Sequence, residues 1–194
     1  MRIKSDKEFD IINQIKEGDT SLFRLLIDSY KDVSFSLACS ILRNEQDAED
    51  SLQESFIKAY TGLKRFNFNS SFATWLYKIV VNTSNTKFKT QQRQKNIIKI
   101  DTYYETIGIC EDDSTYTAIE SSEQKRLVNN ILDSIKQDES LMLRLFYLAE
   151  MSIKEVMDIT GYKESKIKVT LHRARKSFEK EFEKKYSKEN IVNQ

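Results

Sequence analysis

The chain has 194 residues, a formal net charge of +1, no proline and only four glycines. This length is enough for one large or two small domains with buried cores, and the scarcity of helix breakers predicts an almost entirely helical protein. A net charge so close to zero excludes a uniformly basic nucleic-acid binder, so a nucleic-acid surface would need charge that is sorted by segment.

The N-terminal residues contain no apolar leader, and no apolar run approaches the length that spans a membrane. The two cysteines, Cys39 and Cys110, are far apart in the chain and suit neither a disulfide framework nor a metal-ligand spacing. A reducing compartment is the simplest setting for such cysteines. We therefore expect a cytoplasmic protein without membrane insertion.

The first predicted elements are short helices with apolar residues on one face. Residues 7–17 form the first, which Gly18 ends, and Asp19 is a suitable N-cap for the second. Another helical run covers 33–42, and Asn44 then caps an acidic helix. The apolar stripe of that helix consists of Ala48, Leu52, Phe56, Ala59 and Leu63.

The charge changes abruptly within this helix. From Lys58 to Ile100 inclusive there is no acid, whereas there are nine Lys or Arg residues, and aromatic residues are interleaved with them. The polar stretch at 66–71 predicts a loop, followed by a helix from Phe72 that continues through the basic residues. A basic path with aromatic rings suits a single nucleic-acid strand, because cations hold phosphates and rings stack on bases. The alternative is an amphipathic helix pair whose aromatics are core and whose lysines are solvated.

Residues 101–123 are acidic, contain no Lys or Arg and show no apolar period, which indicates a linker. Apolar helices follow, and then a segment with the residue pattern that is typical of a helix-turn-helix. Ser152 and Glu155 have the spacing of a capping box, and Gly161 supplies the turn. The next helix places basic residues opposite an apolar face, as expected for a helix in a major groove.

Three motifs make a family resemblance specific. D-A-E-D-x-x-Q-E-x-F-x-K-A-Y begins at Asp47, F-x-x-x-x-x-F-x-T-W-L-Y-K-I-x-x-N begins at Phe66, and G-Y-x-E-x-x-I-K-x-x-L-H-R-A-R begins at Gly161. The first two resemble the second conserved region of bacterial extracytoplasmic-function sigma factors, and the third resembles the recognition helix of their fourth region. The two matches cover roughly 10–92 and 123–186.

The resemblance implies three sets of site residues. Binding of core RNA polymerase is expected at Asp50, Gln53 and Glu54, which lie off the apolar stripe. Single-stranded minus-ten DNA is expected at Phe66, Phe68, Asn69, Phe72, Trp75, Lys78 and Asn82. Minus-thirty-five DNA is expected at Ser165, Lys166, Lys168, Val169, His172 and Arg173. Departures from the family pattern concern promoter sequence: Phe68 and Asn69 replace a frequent glycine and acid, and Lys166 and Thr170 replace a frequent threonine and arginine.

The sequence thus predicts an all-α protein with two helical domains joined by a flexible acidic linker. The expected boundaries are 1–95 for the first domain, 96–122 for the linker, 123–186 for the helix-turn-helix domain and 187–194 for a tail. The implied partners are core RNA polymerase (through its clamp coiled coil and flap), promoter DNA and an anti-sigma factor. No cofactor, metal or catalytic residue is expected, and the protein is not expected to be an enzyme.

Two other functions remain as alternatives. A helix-turn-helix repressor acting alone would account for 152–178 but would leave the acidic helix and the aromatic loop unexplained. A nuclease would need clustered acids or metal-ligand spacing beside the basic tract, and the sequence has neither. The single histidine, His172, also argues against catalysis that pairs histidine with serine or cysteine.

Overall fold

The computed structural model describes residues 5–98 and 119–192, and within these ranges every regular element is a helix. The all-α prediction is therefore confirmed for the described residues, while most of the expected linker lies outside them. The α-helices of the described ranges are α1 (Ser5–Glu17), α2 (Phe23–Leu42), α3 (Glu45–Gly62), α4 (Phe72–Ile98), α5 (Ile119–Ser134), α6 (Gln137–Leu143), α7 (Ile153–Thr160) and α8 (Glu164–Val192).

Local chemistry sets most of the helix ends in the N-terminal half. Gly18 ends α1 with φ = 122°, a conformation that side chains rarely allow. The Asn44 side chain accepts a 3.0 Å hydrogen bond from the backbone N–H of Asp47 and so caps α3. The expected start at Asp19 is corrected: a 3-10 turn intervenes, and α2 begins at Phe23. It continues to Leu42 as one helix, because neither glycine nor proline interrupts it.

Helices α2, α3 and α4 pack against one another as a three-helix unit. Its core includes fully buried Leu26, Leu37, Ala59 and Leu76. Gly62, near the end of α3, lies where a side chain would crowd α4, because a Cβ there would be 3.2 Å from the Trp75 indole. The predicted aromatic loop follows the turn at the end of α3 and leads directly into α4.

The C-terminal half contains the predicted helix-turn-helix. Ser152 and Glu155 form a complete capping box at the start of α7, and Gly161 ends α7 with φ = 71°, as the sequence predicts. Buried Ile167, Leu171 and Ala174 hold α8 on its neighbours. Helix α5 begins at Ile119, ahead of the expected domain start at 123.

The two halves of the described structure lie against each other. Helix α4 contacts α7, and α2 contacts both α6 and the π-helical turn Arg144–Leu148 that follows it. Buried apolar residues from both halves form one continuous cluster. The sequence predicts two domains but gives no sign of this contact.

Candidate polymerase and nucleic-acid interfaces

The expected polymerase-binding residues share an exposed face of α3. Asp50, Gln53 and Glu54 are exposed, whereas Ala48 and Phe56 on the other face are buried. This separation follows from the helical period of the apolar stripe. The face is polar and accessible, as a protein-binding surface requires.

Two of these acids already have basic neighbours. The Glu54 carboxylate lies 2.6 Å from the Lys58 ammonium one turn along, and both side chains are about half exposed. Lys87 of α4 lies 3.0 Å from Asp50 and 3.1 Å from Asp47. A partner that binds this face must compete with these pairs.

Lys87 belongs to the acid-free tract, yet its charge faces α3 and not open solvent. Its ammonium also donates to the backbone carbonyl of Asp47 at 3.2 Å. Burial alone would lower the pKa of Lys87, but the hydrogen bonds and charges of Asp50 and Asp47 outweigh it, so the pKa is raised. One cation of the predicted basic path is thus used to hold α4 against α3.

The predicted minus-ten residues divide into buried and accessible groups. Phe66 is 4% exposed and Phe72 is 2% exposed, so both lie beneath the surface. The expectation that the loop presents Phe66 is therefore corrected: its ring packs in the core. Phe68 is half-buried and Asn69 is exposed. The loop therefore presents Phe68 and Asn69, and the Phe68 ring contacts the buried ring of Phe66.

Trp75 takes part in the same ring cluster. Its ring centroid lies 5.0 Å from that of Phe66 and 5.7 Å from that of Phe72, and the residue is half-buried. The packed side of the indole fits the core interpretation. Because the residue is only half-buried, part of the indole remains accessible, and one ring can serve both roles.

Two further predicted residues lie farther along α4. Lys78 and Asn82 are exposed and four residues apart, so they share one face of the helix. Asn82 follows Phe72 by ten residues, which is about 15 Å along an α-helix. Asn82 therefore lies well away from the ring cluster. Lys78 lies between the two on the same exposed face of α4.

All six predicted minus-thirty-five residues are exposed on α8, opposite buried Ile167 and Leu171. Two of the basic side chains have local partners. The Lys168 ammonium lies 2.6 Å from the Glu164 carboxylate, and the Lys166 ammonium lies 3.3 Å from the centroid of the Tyr162 ring. The hydrogen bond from Lys168 lowers the pKa of Glu164.

The contact between the halves includes a predicted minus-ten segment and the helix-turn-helix. The Thr74 hydroxyl of α4 donates a 2.9 Å hydrogen bond to the Glu155 carboxylate of α7, and Thr74 is buried. Glu155 also accepts from the Ser152 backbone at 2.9 Å. The capping residue of α7 is thus shared with α4.

A second set of interdomain contacts centres on Arg144, which is 2% exposed. Its guanidinium lies 2.7 Å from the Asp133 carboxylate and donates to the Ser36 hydroxyl of α2. Arg43, at the end of α2, donates to the backbone carbonyl of Asp133 and, at 2.8 Å, to that of Ile135. Burial raises the pKa of Asp133, and the nearby charges of Arg144 and Arg43 oppose that rise.

Arg144 is a structural residue that the helical pattern of the sequence does not reveal. The one available signal was a charged residue within the apolar stretch LMLRLF, since a charge in such a pattern is buried only with a partner. Nothing in the sequence names that partner, because Ser36 is 108 residues away.

The described residues contain neither a candidate metal site nor a candidate membrane-spanning helix. Among the side chains that the structure describes, no three His, Cys, Asp or Glu groups come together as metal ligands would. Of the helices at 5–98 and 119–192, none combines the length and apolarity needed to cross a bilayer.

The chain is similar in sequence to known sigma factors. The family Sigma-70 region 2 matches residues 26–94. The ECF RNA polymerase sigma factor SigW of Bacillus subtilis is 29% identical over 182 residues, which cover 88% of this chain and 94% of that protein. The ECF RNA polymerase sigma-E factor of Escherichia coli K12 is 28% identical over 174 residues, which cover 87% and 91%.

Two solved structures have a fold similar to that of this chain. The sigma factor RpoE of Bartonella quintana, solved in complex with the anti-sigma factor NepR, has a TM-score of 0.61 and 20% identity and covers 84% of this chain and 96% of its own. CnrH, solved with the cytosolic domain of CnrY, has a TM-score of 0.59 and 18% identity and covers 89% and 95%.

Proposed function

We propose that the chain is an extracytoplasmic-function sigma factor of bacterial RNA polymerase, which binds core polymerase through α3, captures minus-ten DNA at the aromatic loop and binds minus-thirty-five DNA through α8. The observation that carries this assignment is the presence of all three exposed surfaces in one chain. As a transcription initiation factor it acts in the cytoplasm, where RNA polymerase works, and RNA synthesis itself belongs to the polymerase. The solved complexes of similar sigma factors support an anti-sigma partner for this chain as well.

Each binding function is assigned to one of the domains expected from the sequence. Residues 1–95 bind polymerase and the minus-ten element, and 123–186 bind the minus-thirty-five element. An isolated helix-turn-helix repressor remains the weaker alternative, because it gives no role to the exposed acids of α3 or to the aromatic loop. A gel shift without polymerase separates the two: a sigma factor binds duplex promoter weakly when alone.

Binding both promoter elements requires the two halves to separate. The elements are centred about 25 base pairs apart, which is about 85 Å along B-DNA. In the described arrangement α7 contacts α4 through Thr74 and Glu155, and the two halves that carry the DNA surfaces share one buried apolar cluster. We therefore propose that the contacts between α4 and α7 and between α2 and α6 break when the protein engages promoter DNA on the polymerase.

Replacing Gln53 and Glu54 together with alanine is expected to weaken core binding. Truncating hydrogen-bonded charged groups at the centre of an interface typically costs about 2–5 kcal/mol, because the partner groups remain buried and unpaired. The measurement is the affinity for purified core polymerase, for example by fluorescence anisotropy. The matched control replaces Gln14 and Glu17, which are exposed on a different helix, α1. Equal affinities for the two double variants would contradict the assignment of this face.

Replacing Arg173 or Lys168 with alanine is expected to reduce discrimination among minus-thirty-five sequences. A lost base contact costs about 1–3 kcal/mol at one position. Lys166→Ala should instead weaken binding to every sequence and reduce the salt slope by about 0.9, one phosphate's share. Holoenzyme binding to cognate and randomised duplexes at several salt concentrations measures both effects. Lys180→Ala, exposed farther along α8, is the control, and uniform losses for all variants would show that α8 does not recognise bases.

A further inference from the structure

The aromatic loop contains one residue in a backbone conformation that L-amino acids rarely adopt. Phe68 has φ = 59°, in the left-handed region, where a bulky side chain is strained. Strain of this kind persists only when the surrounding structure holds the residue in place. The contacts of the Phe68 ring therefore identify what maintains the loop.

Those contacts come largely from α1. The centroid of the Phe68 ring lies 4.7 Å from that of Phe9, and the Lys16 ammonium lies 4.5 Å from it. The Phe66 ring adds a contact at 4.9 Å. Lys16 also donates a hydrogen bond to the backbone carbonyl of Phe66. One side chain of α1 thus contacts both the ring and the backbone of the loop.

Helix α1 is itself firmly placed. Ile12 is 1% exposed and Ile15 is 6% exposed, so the helix is anchored in the core by residues within a turn or two of Phe9 and Lys16. Phe9 and Lys16 are seven residues apart, which brings them to one face two turns from each other. The contact is therefore made by a fixed helix, as a support requires.

We infer that Phe9 and Lys16 are positioning residues that hold Phe68 in its strained conformation, so that its outer ring face is ready for an unstacked minus-ten base. The Lys16 ammonium, the Phe9 ring and the Phe66 ring all contact the Phe68 ring, and Phe68 is nevertheless only half-buried, so the part of its ring that these groups leave uncovered is the outer face. Without them the backbone relaxes to negative φ and the ring turns away. The inference rests on the proposed role of the loop and assigns a function to α1 within it.

The test is a double-variant cycle between Lys16→Met and Phe68→Ala in the full chain bound to core polymerase. Lys16→Met keeps the apolar stem but removes the cation and the donor, and we expect it to slow opening of duplex promoter roughly two- to tenfold. In the Phe68→Ala background it should have no further effect, because its target is gone. Lys16→Arg should retain the normal rate, and Lys7→Met, at an exposed position of α1, is the control.

Each other outcome counts against the inference in a defined way. An equal slowing by Lys16→Met in both backgrounds would show that Lys16 does not act through Phe68. Faster opening in Phe9→Ala would show that α1 covers the ring and does not support it. Normal opening by Lys16→Met, together with slow opening by Phe68→Ala, would overturn the inference and leave the proposed function standing.

A second measurement does not depend on transcription. Trp75 is the only tryptophan of the chain, and its ring lies 5.0 Å from that of Phe66, whose carbonyl Lys16 holds. Its emission and its quenching by acrylamide should change in Lys16→Met and Phe9→Ala but not in Lys7→Met. If Phe68→Ala opens DNA normally, base capture by this ring is wrong, and the Trp75 signal alone then decides whether α1 positions the loop. Unchanged emission in both α1 variants would overturn the inference.

Discussion

Replacing Arg144 with alanine is expected to lower the stability of the folded protein by about 3–5 kcal/mol. The guanidinium is almost fully buried, and its removal leaves the Asp133 carboxylate, itself only 10% exposed, without its nearest cation. It also removes the donor that reaches Ser36 across the contact between the two halves. Thermal unfolding followed by circular dichroism should show a melting temperature lower by roughly 6–20 °C.

An exposed arginine in an ion pair provides the matched control. Arg24 lies 3.9 Å from Asp28, but its side chain is 87% exposed, so Arg24→Ala should change the stability by no more than about 0.5 kcal/mol. Combining Arg144→Met with Asp133→Asn should recover part of the loss, because no unpaired buried charge remains. If Arg144→Ala melts at the same temperature as Arg24→Ala, the buried network does not hold the structure together.

Replacing Phe68 or Asn82 with alanine is expected to slow promoter opening while core binding and closed-complex formation stay intact. Duplex DNA hides its bases, so opening requires that an unstacked base be captured as it emerges. Unstacking costs a few kcal/mol, and an aromatic platform returns roughly 1–3 kcal/mol per base, so the loss of one ring should slow opening roughly 5- to 150-fold. Permanganate reactivity of unpaired thymines, followed in time, measures the opening rate.

A promoter with a pre-melted bubble separates this role from others. The bubble removes the unstacking cost in advance and should therefore restore much of the rate lost by either variant. Phe182→Ala, which removes a phenylalanine that is 37% exposed on α8, is the control and should open duplex DNA at the normal rate. Normal opening of linear promoter by both Phe68→Ala and Asn82→Ala would mean that the loop is only a connector.

Features that depend on neighbouring residues were predictable from the sequence. The Asn44 cap, the Ser152–Glu155 capping box and the turn at Gly161 follow from hydrogen bonds within a few residues, so the sequence pattern alone locates them. The exposed faces of α3 and α8 follow from helical periodicity in the same way. The all-helical fold follows from composition.

Features that depend on distant contacts were not predictable. Nothing local indicates that Thr74 reaches Glu155, or that Lys87 pairs with the acids of α3, because these contacts join residues that are 81 and 37 positions apart. Phe66 lies in a polar stretch that is typical of a loop, yet its side chain is buried. Helical periodicity cannot predict this burial, because the residue lies between two helices. The contact between the two halves belongs to the same class.

Transcription by purified core polymerase on genomic DNA, with and without this protein, tests the central claim most directly. The protein should direct initiation at a set of new start sites that share two upstream sequence motifs, centred near minus ten and minus thirty-five. Core polymerase alone, or core with the Gln53→Ala/Glu54→Ala variant, should not use those sites. If the wild-type protein binds core but produces no new start sites, or if it binds duplex DNA tightly and specifically without polymerase, then it does not act as a sigma factor.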